Sequence, residues 1–227
     1  MFRYLLLSFA SILYCAQSFA GGVSLGATRL IYPTDKDQLT LKIYNTDETG
    51  NYLVQSWISD EKNNKISDFI ITPPLFVIKS NTDNILKVVY TGDKDNLPKE
   101  KEKLYYFNSK VIPSLSEDEQ KIDNALLIST TTKIKLFIRP DSIKENPLTS
   151  YKKIKCSYEK GQLKIDNPTP FYMNLVSIKS NGNEISKLET IAPREFVYLT
   201  SNTNNKNITF SVINDYGVQI KDIQCNF

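Results

Sequence analysis

Residues 124–140 read NALLISTTTKIKLFIRP, and the pattern of that stretch decides how the rest of the chain is read. Leu126, Ile128, Thr130, Thr132, Ile134, Leu136 and Ile138 stand at alternate positions, and β-branched residues crowd the interior. A period of two puts those side chains on one face of an extended strand. The run exceeds the common strand length of about 5–6 residues. It ends at Pro140, which has no N–H to give to a ladder. The stretch predicts one long strand over 124–139 that closes a β-sandwich.

The residues before it are strand-like in the same way. Candidate strands fall at 23–31, 38–45, 52–59, 66–71, 84–91 and 103–112, with Leu39, Leu41 and Ile43 alternating with polar neighbours. Turn-forming clusters such as Asp47-Glu48-Thr49-Gly50 and Thr91-Gly92-Asp93 separate them. Asp93-Lys94-Asp95-Asn96 reads as a turn, since it lacks the later ligands of a calcium loop. Trp57, the single tryptophan, alternates with apolar neighbours and is expected in the core. After Pro140 a proline-bearing, weakly apolar stretch reads as a linker over 143–150. A second set of candidate strands then follows at 151–157, 161–167, 171–180, 184–189, 196–200, 207–213 and 217–225. No segment carries a sustained helical period. The expected class is all-β, with two immunoglobulin-like sandwiches over 21–142 and 151–227.

The first twenty residues have the plan of a secretory signal: Arg3, then an apolar run from Tyr4 to Tyr14, then Ser18-Phe19-Ala20. Cleavage is expected after Ala20, since the apolar run is shorter than the ~20 residues of a membrane helix. A lipid anchor at Cys15 is disfavoured by Tyr14, which stands where such signals want a small residue. Cys156 and Cys225 then remain, and a lone pair in an exported chain is expected to form a disulfide.

Composition narrows the function. The chain has no histidine, which removes Ser-His-Asp and Cys-His catalysis and the His-based zinc sites. No nucleophile elbow, phosphate-cradling glycine loop or close cysteine pair is present. Neither an enzyme nor a cofactor or metal site is expected. A formal net charge of +3 without a block of like charge gives no footprint for nucleic acid.

Several stretches, taken in order, resemble one family, the periplasmic chaperones of the chaperone–usher pilus pathway, of which PapD is the best-known member. They begin with Val23-Ser24-Leu25, Thr28-Arg29, Tyr52-Leu53-Val54-Gln55-Ser56-Trp57-Ile58 and Thr72-Pro73-Pro74-Leu75-Phe76. Glu102, Leu104-Tyr105-Tyr106-Phe107-Asn108 and Lys133-Ile134-Lys135-Leu136-Phe137-Ile138-Arg139-Pro140 follow. The second half adds Asp166-Asn167-Pro168-Thr169-Pro170-Phe171-Tyr172 and Ile213-Asn214-Asp215-Tyr216-Gly217.

The resemblance implies two sandwiches in a boomerang with a cleft between them, and a partner that is a newly exported pilus subunit. Arg29 and Lys135 would hold the subunit's C-terminal carboxylate. Leu126, Ile128 and Thr130 would fill the groove of a subunit that lacks its own last strand, which is donor-strand complementation. Thr130 departs from the large apolar residue usual there. Glu102, Arg139 and Asp215 would form an ion network that fixes the angle between domains. The short loop 114–123 resembles the branch that assembles rod-like pili, and an outer-membrane usher would receive the subunit. Strict alternation sets Lys135 on the face opposite Leu126 and Ile128, so a bulge or change of sheet is expected before it.

Overall fold

The computed structural model describes residues 21–115, 127–200 and 205–227. The strands in order are β1 (Val23–Leu25), β2 (Arg29–Pro33), β3 (Leu39–Asn45), β4 (Tyr52–Ser59), β5 (Phe69–Thr72), β6 (Leu75–Ile78), β7 (Thr82–Tyr90), β8 (Lys103–Pro113) and β9 (Thr130–Arg139). They build the first sandwich. The second contains β10 (Lys155–Glu159), β11 (Gln162–Asp166), β12 (Met173–Ser180), β13 (Asn183–Ile191), β14 (Phe196–Thr200), β15 (Ile208–Ile213) and β16 (Gln219–Gln224).

The first sandwich packs a sheet of order β1-β3-β7-β5 on one of order β2-β9-β8-β4-β6. Its core is made by the alternating apolar faces, with Leu41 and Ile43 meeting Val54, Ile58, Leu86, Val88, Phe107, Leu136 and Ile138. The expected first strand, 23–31, is two strands. β1 pairs antiparallel with β3, whereas β2 pairs parallel with β9. The chain changes sheets at Gly26, whose N–H donates to Lys42 O at 2.8 Å. A Cβ there would lie 3.1 Å from the Tyr44 ring and 3.2 Å from Lys42 O, so the crossing needs glycine's small profile.

Further expectations need correction. The expected 124–139 strand starts at Thr130, where its ladder with β8 begins opposite Val111; β8 runs on to Pro113 paired with β4 alone. Residues 127–129 have no ladder partner, and Leu126 lies outside the described residues, as do residues 116–123 of the short loop. No bulge interrupts β9, whose register with β8 is continuous from Thr130 to Ile138. Trp57 is only partly buried, because on β4 the core-facing positions are Val54, Ser56 and Ile58. A strand also stands where none was expected, at β6. It follows the cis Thr72–Pro73 bond and begins after Pro74, where the missing N–H is no loss. The 151–157 prediction likewise opens with a 3-10 turn at Ser150–Lys153 before β10.

The second sandwich packs β10-β11-β14 on β13-β12-β15-β16. Its core centres on Leu163, Ile165, Leu175, Ile178, Ile208 and Phe210. Cys156 on β10 and Cys225 just beyond β16 form a disulfide that ties the two sheets together. Closing a loop of 69 residues stabilises such a domain by about 4 kcal/mol on the chain-entropy account. The turn into β12 is organised by fully buried Asn167. Its amide donates to the carbonyls of Phe171, Ile191 and Ala192, and its Oδ1 accepts from the N–H and hydroxyl of Thr169. That network sets Pro170, Phe171 and Tyr172 against the first sandwich.

Candidate functional site: the cleft between the sandwiches

β9 uses its two faces for different work. Ile134, Leu136 and Ile138 enter the core of the first sandwich. Lys135, Phe137 and Arg139 occupy the other face, and each meets the second sandwich. The Phe137 ring lies 5.5 Å from that of Tyr172. The Lys135 ammonium donates to Asn174 Oδ1 and, at 2.6 Å, to Thr190 Oγ1. Lys133, next on this face, lies 3.9 Å from the Tyr106 ring centroid and donates to Asn63 Oδ1. Lys135 thus reaches the cleft by plain alternation.

The parallel pairing of β2 with β9 sets Arg29 opposite Lys135 in register. Neighbouring strands run about 4.8 Å apart, so two cations share one small region. Arg29 Nη1 donates to Ile213 O at 3.1 Å, and its buried Nε has no hydrogen-bond partner. Burial lowers the Arg29 pKa from its ordinary value, and the nearby Asp215 charge offsets part of that. Burial, followed by the Arg29 charge, brings Lys135 down to about 8. Like charges held together and partly out of water are costly unless an anion joins them. A carboxylate would accept charge-assisted bonds from both.

Beside this pair, Glu102, Arg139 and Asp215 form one connected network. Arg139 Nε donates to Glu102 Oε1 at 2.6 Å, and its two terminal nitrogens donate to Asp215 at 2.7 and 3.0 Å. Glu102 is nearly inaccessible, at 4% exposure, and it crosses the junction twice more. Its N–H donates to Pro170 O, and its Oε2 accepts from Tyr172 N–H at 2.8 Å. Burial raises the Glu102 pKa, with Arg139 and the Tyr172 N–H opposing the shift. For Arg139, burial works against the charge, but the bonds to Asp215 and Glu102 outweigh it and raise its pKa. The hairpin that carries Asp215 closes on the first sandwich at Gly217. This residue has φ of 78°, and a Cβ there would come within 2.8 Å of Thr28 Oγ1.

Of the remaining sequence-predicted residues, Ile128 and Thr130 lie beyond the core of the first sandwich. Thr130 opens β9 with its side chain exposed, and Ile128 is 64% exposed. Continuing the alternation back from Ile134 gives Thr130 and Ile128 the parity of the core face, beyond the point where the core ends. The sequence reading missed Asn174 and Thr190, the partners of Lys135. Each is a single polar residue in a strand with no motif around it, and only the fold brings them to the lysine. Among the described residues, no group of three or more acidic or cysteine side chains is placed to hold a metal, and no helix is long and apolar enough to cross a membrane.

The described residues thus form two immunoglobulin-like sandwiches joined by a buried ion network, with a paired-cation cleft and a bare strand end. Residues 22–144 match the family described as "Pili and flagellar-assembly chaperone, PapD N-terminal domain", and residues 149–224 match "Pili assembly chaperone PapD, C-terminal domain". The chain belongs to this family of pilus-assembly chaperones. It is 34% identical over 221 residues to the probable fimbrial chaperone protein ElfD of Escherichia coli O157:H7, covering 95% of this chain and 93% of that one. The crystal structure of the E. coli chaperone DraB superimposes with a TM-score of 0.80 at 30% identity, over 91% of this chain and 99% of that one. The Salmonella enterica SafB chaperone, solved in complex with the SafA pilin, gives a TM-score of 0.79 at 31% identity over 91% and 96%.

Proposed function

We propose that this chain is a non-enzymatic chaperone of the periplasm that binds, stabilises and caps pilus subunits and passes them to an outer-membrane usher. The observation that carries the reading is the Arg29–Lys135 pair, two partly buried cations in register with an unpartnered Arg29 Nε between strands and cleft. The subunit's C-terminal carboxylate is the anion that pair takes. With the carboxylate fixed there, the subunit runs antiparallel or parallel to β9 toward its bare end. Leu126, Ile128 and Thr130 fill the subunit's groove while the backbone of the same segment satisfies its open edge. The network of Glu102, Arg139 and Asp215 holds the second sandwich in place as the far wall of the cleft. Residues 1–20 direct export and are removed after Ala20. Release follows when another subunit's strand replaces the lent one, with no nucleotide or cofactor taking part.

The test is co-purification from periplasm with a candidate subunit. Arg29→Ala and Lys135→Ala are each expected to fold and to lose the complex, since removing one partner of a buried charge pair typically costs about 2–5 kcal/mol of binding. Complex at wild-type level in both variants would remove the anchor.

A further inference from the structure

The wall of the cleft opposite β9 carries an apolar step that neither the carboxylate pair nor the ion network uses. Asn174 on β12 and Thr190 on β13, the two residues that hold Lys135, are register partners. The pairing of β12 with β13 runs without irregularity from Met173 opposite Ile191 to Val176 opposite Leu188. Val176 and Leu188 therefore stand two positions further along, on the same face as Asn174 and Thr190. Core residues Met173 and Leu175 occupy the other face of β12. Leu188 is 60% exposed, whereas Val176 beside it is partly buried, so the pair presents a leucine backed by a valine. Two residues of strand span about 7 Å. That is the reach of the last two or three residues of an extended peptide measured back from its carboxylate.

We infer that Leu188, supported by Val176, is a specificity contact of the second sandwich, which takes a bulky apolar side chain within the last three residues of the bound subunit. The inference rests on the carboxylate-anchor reading above. The occupant is fixed by continuity, because Thr190 at one end of this face bonds the lysine of the anchor. An apolar side chain laid on Leu188 removes leucine surface from water that the free protein leaves exposed. A polar one leaves it half covered and gains nothing. The anchor then recognises any C-terminus, and Leu188 discriminates among them.

A panel of fluorescently labelled nine-residue peptides with a free C-terminal carboxylate tests this by anisotropy. Each of the last three positions carries Leu or Ser in turn, and an amidated copy of each serves as control. With the wild-type chain, Leu at one of the three positions is expected to tighten binding about tenfold over Ser. In Leu188→Ser, a surface change that leaves the core untouched, that preference is expected to vanish while amidation still weakens binding. An undiminished preference in Leu188→Ser, or no preference at any position in the wild type, would overturn the inference while leaving the anchor standing. Indifference to amidation, or no binding of the free-carboxylate peptides to the wild type, would overturn the anchor reading and this inference with it.

Discussion

The two sandwiches share an architecture and use it in opposite ways. In the second, the strands close on themselves and a disulfide between β10 and the residues after β16 locks one sheet to the other. In the first, β9 outruns its own core. Residues 130–133 are exposed, whereas Ile134, Leu136 and Ile138 are buried. The first sandwich therefore has strand to lend, and the second supplies the wall against which a guest's end is fixed. One fold can donate an element only where its ladder continues past its packing. Such a strand leaves an open edge, with Leu127 and Ile128 exposed just before it, which is an aggregation hazard unless something covers it.

The largest effect that could break this contrast lies in the closed sandwich. Replacing both Cys156 and Cys225 by Ser is expected to lower the stability of the second sandwich by about 4 kcal/mol. Urea unfolding followed separately by Trp57 fluorescence in the first sandwich and by far-ultraviolet circular dichroism should then show two transitions, with only one moved. A single transition displaced as a unit would mean that the domains stabilise each other too strongly to be treated apart. Next in size is Arg139→Ala, which leaves Glu102 buried without its cation. Breaking such a pair costs about 3 kcal/mol or more, and the open side of Asp215 keeps the value near that lower end. The variant should melt earlier yet retain the carboxylate pair, so subunit capture at permissive temperature should persist. Unchanged melting would remove the network as a stabilising device.

Smallest, and most informative about the cleft, is the effect of pH through Lys135. Its pKa in the free chain is about 8, below the usual lysine value because of burial and then the Arg29 charge. Between pH 8 and roughly 10.5 the unfolded chain binds the proton that the folded one has lost. The lysine's contribution to stability therefore improves as pH rises through that window. Affinity for a carboxylate needs the charged form and runs the other way, flat below pH 8 and falling above it. Comparing wild type with Lys135→Met by calorimetric titration and thermal melting across pH 7–10 reads both slopes. Equal slopes in the two proteins would show that Lys135 does not titrate there.

Much of this was legible in the sequence, for identifiable reasons. Alternation in β3 and in the second half of β9 exposed the all-β class, because a half-buried strand repeats every two residues. The absence of histidine spoke against the common catalytic arrangements. Periodicity could not show where β9 loses its partner, since that depends on its register against β8, a strand separated from it by a long loop. It also hid the break at Gly26, where apolar residues continue through a change of sheet. Trp57 misled because an aromatic in an alternating run can take either face, and only the register of β4 against β8 fixes which. Arg29 and Lys135 were indicated by resemblance to a family, and their placement together follows from the parallel pairing of β2 with β9. Asn174, Thr190 and the cleft-wall Leu188 depend on contact between domains, which no local pattern encodes.

The central claim is that the first part of β9 and the residues just before it are lent to a guest. Amide hydrogen exchange, read by mass spectrometry on the chain alone and in complex with a pilus subunit, tests it directly. The account predicts that residues 127–129 and those amides of 130–133 that face away from β8 exchange freely in the free chain and become strongly protected in the complex, with the Arg29 and Lys135 surroundings protected alongside. Unchanged exchange over 127–133, with protection appearing on another strand edge, would contradict it.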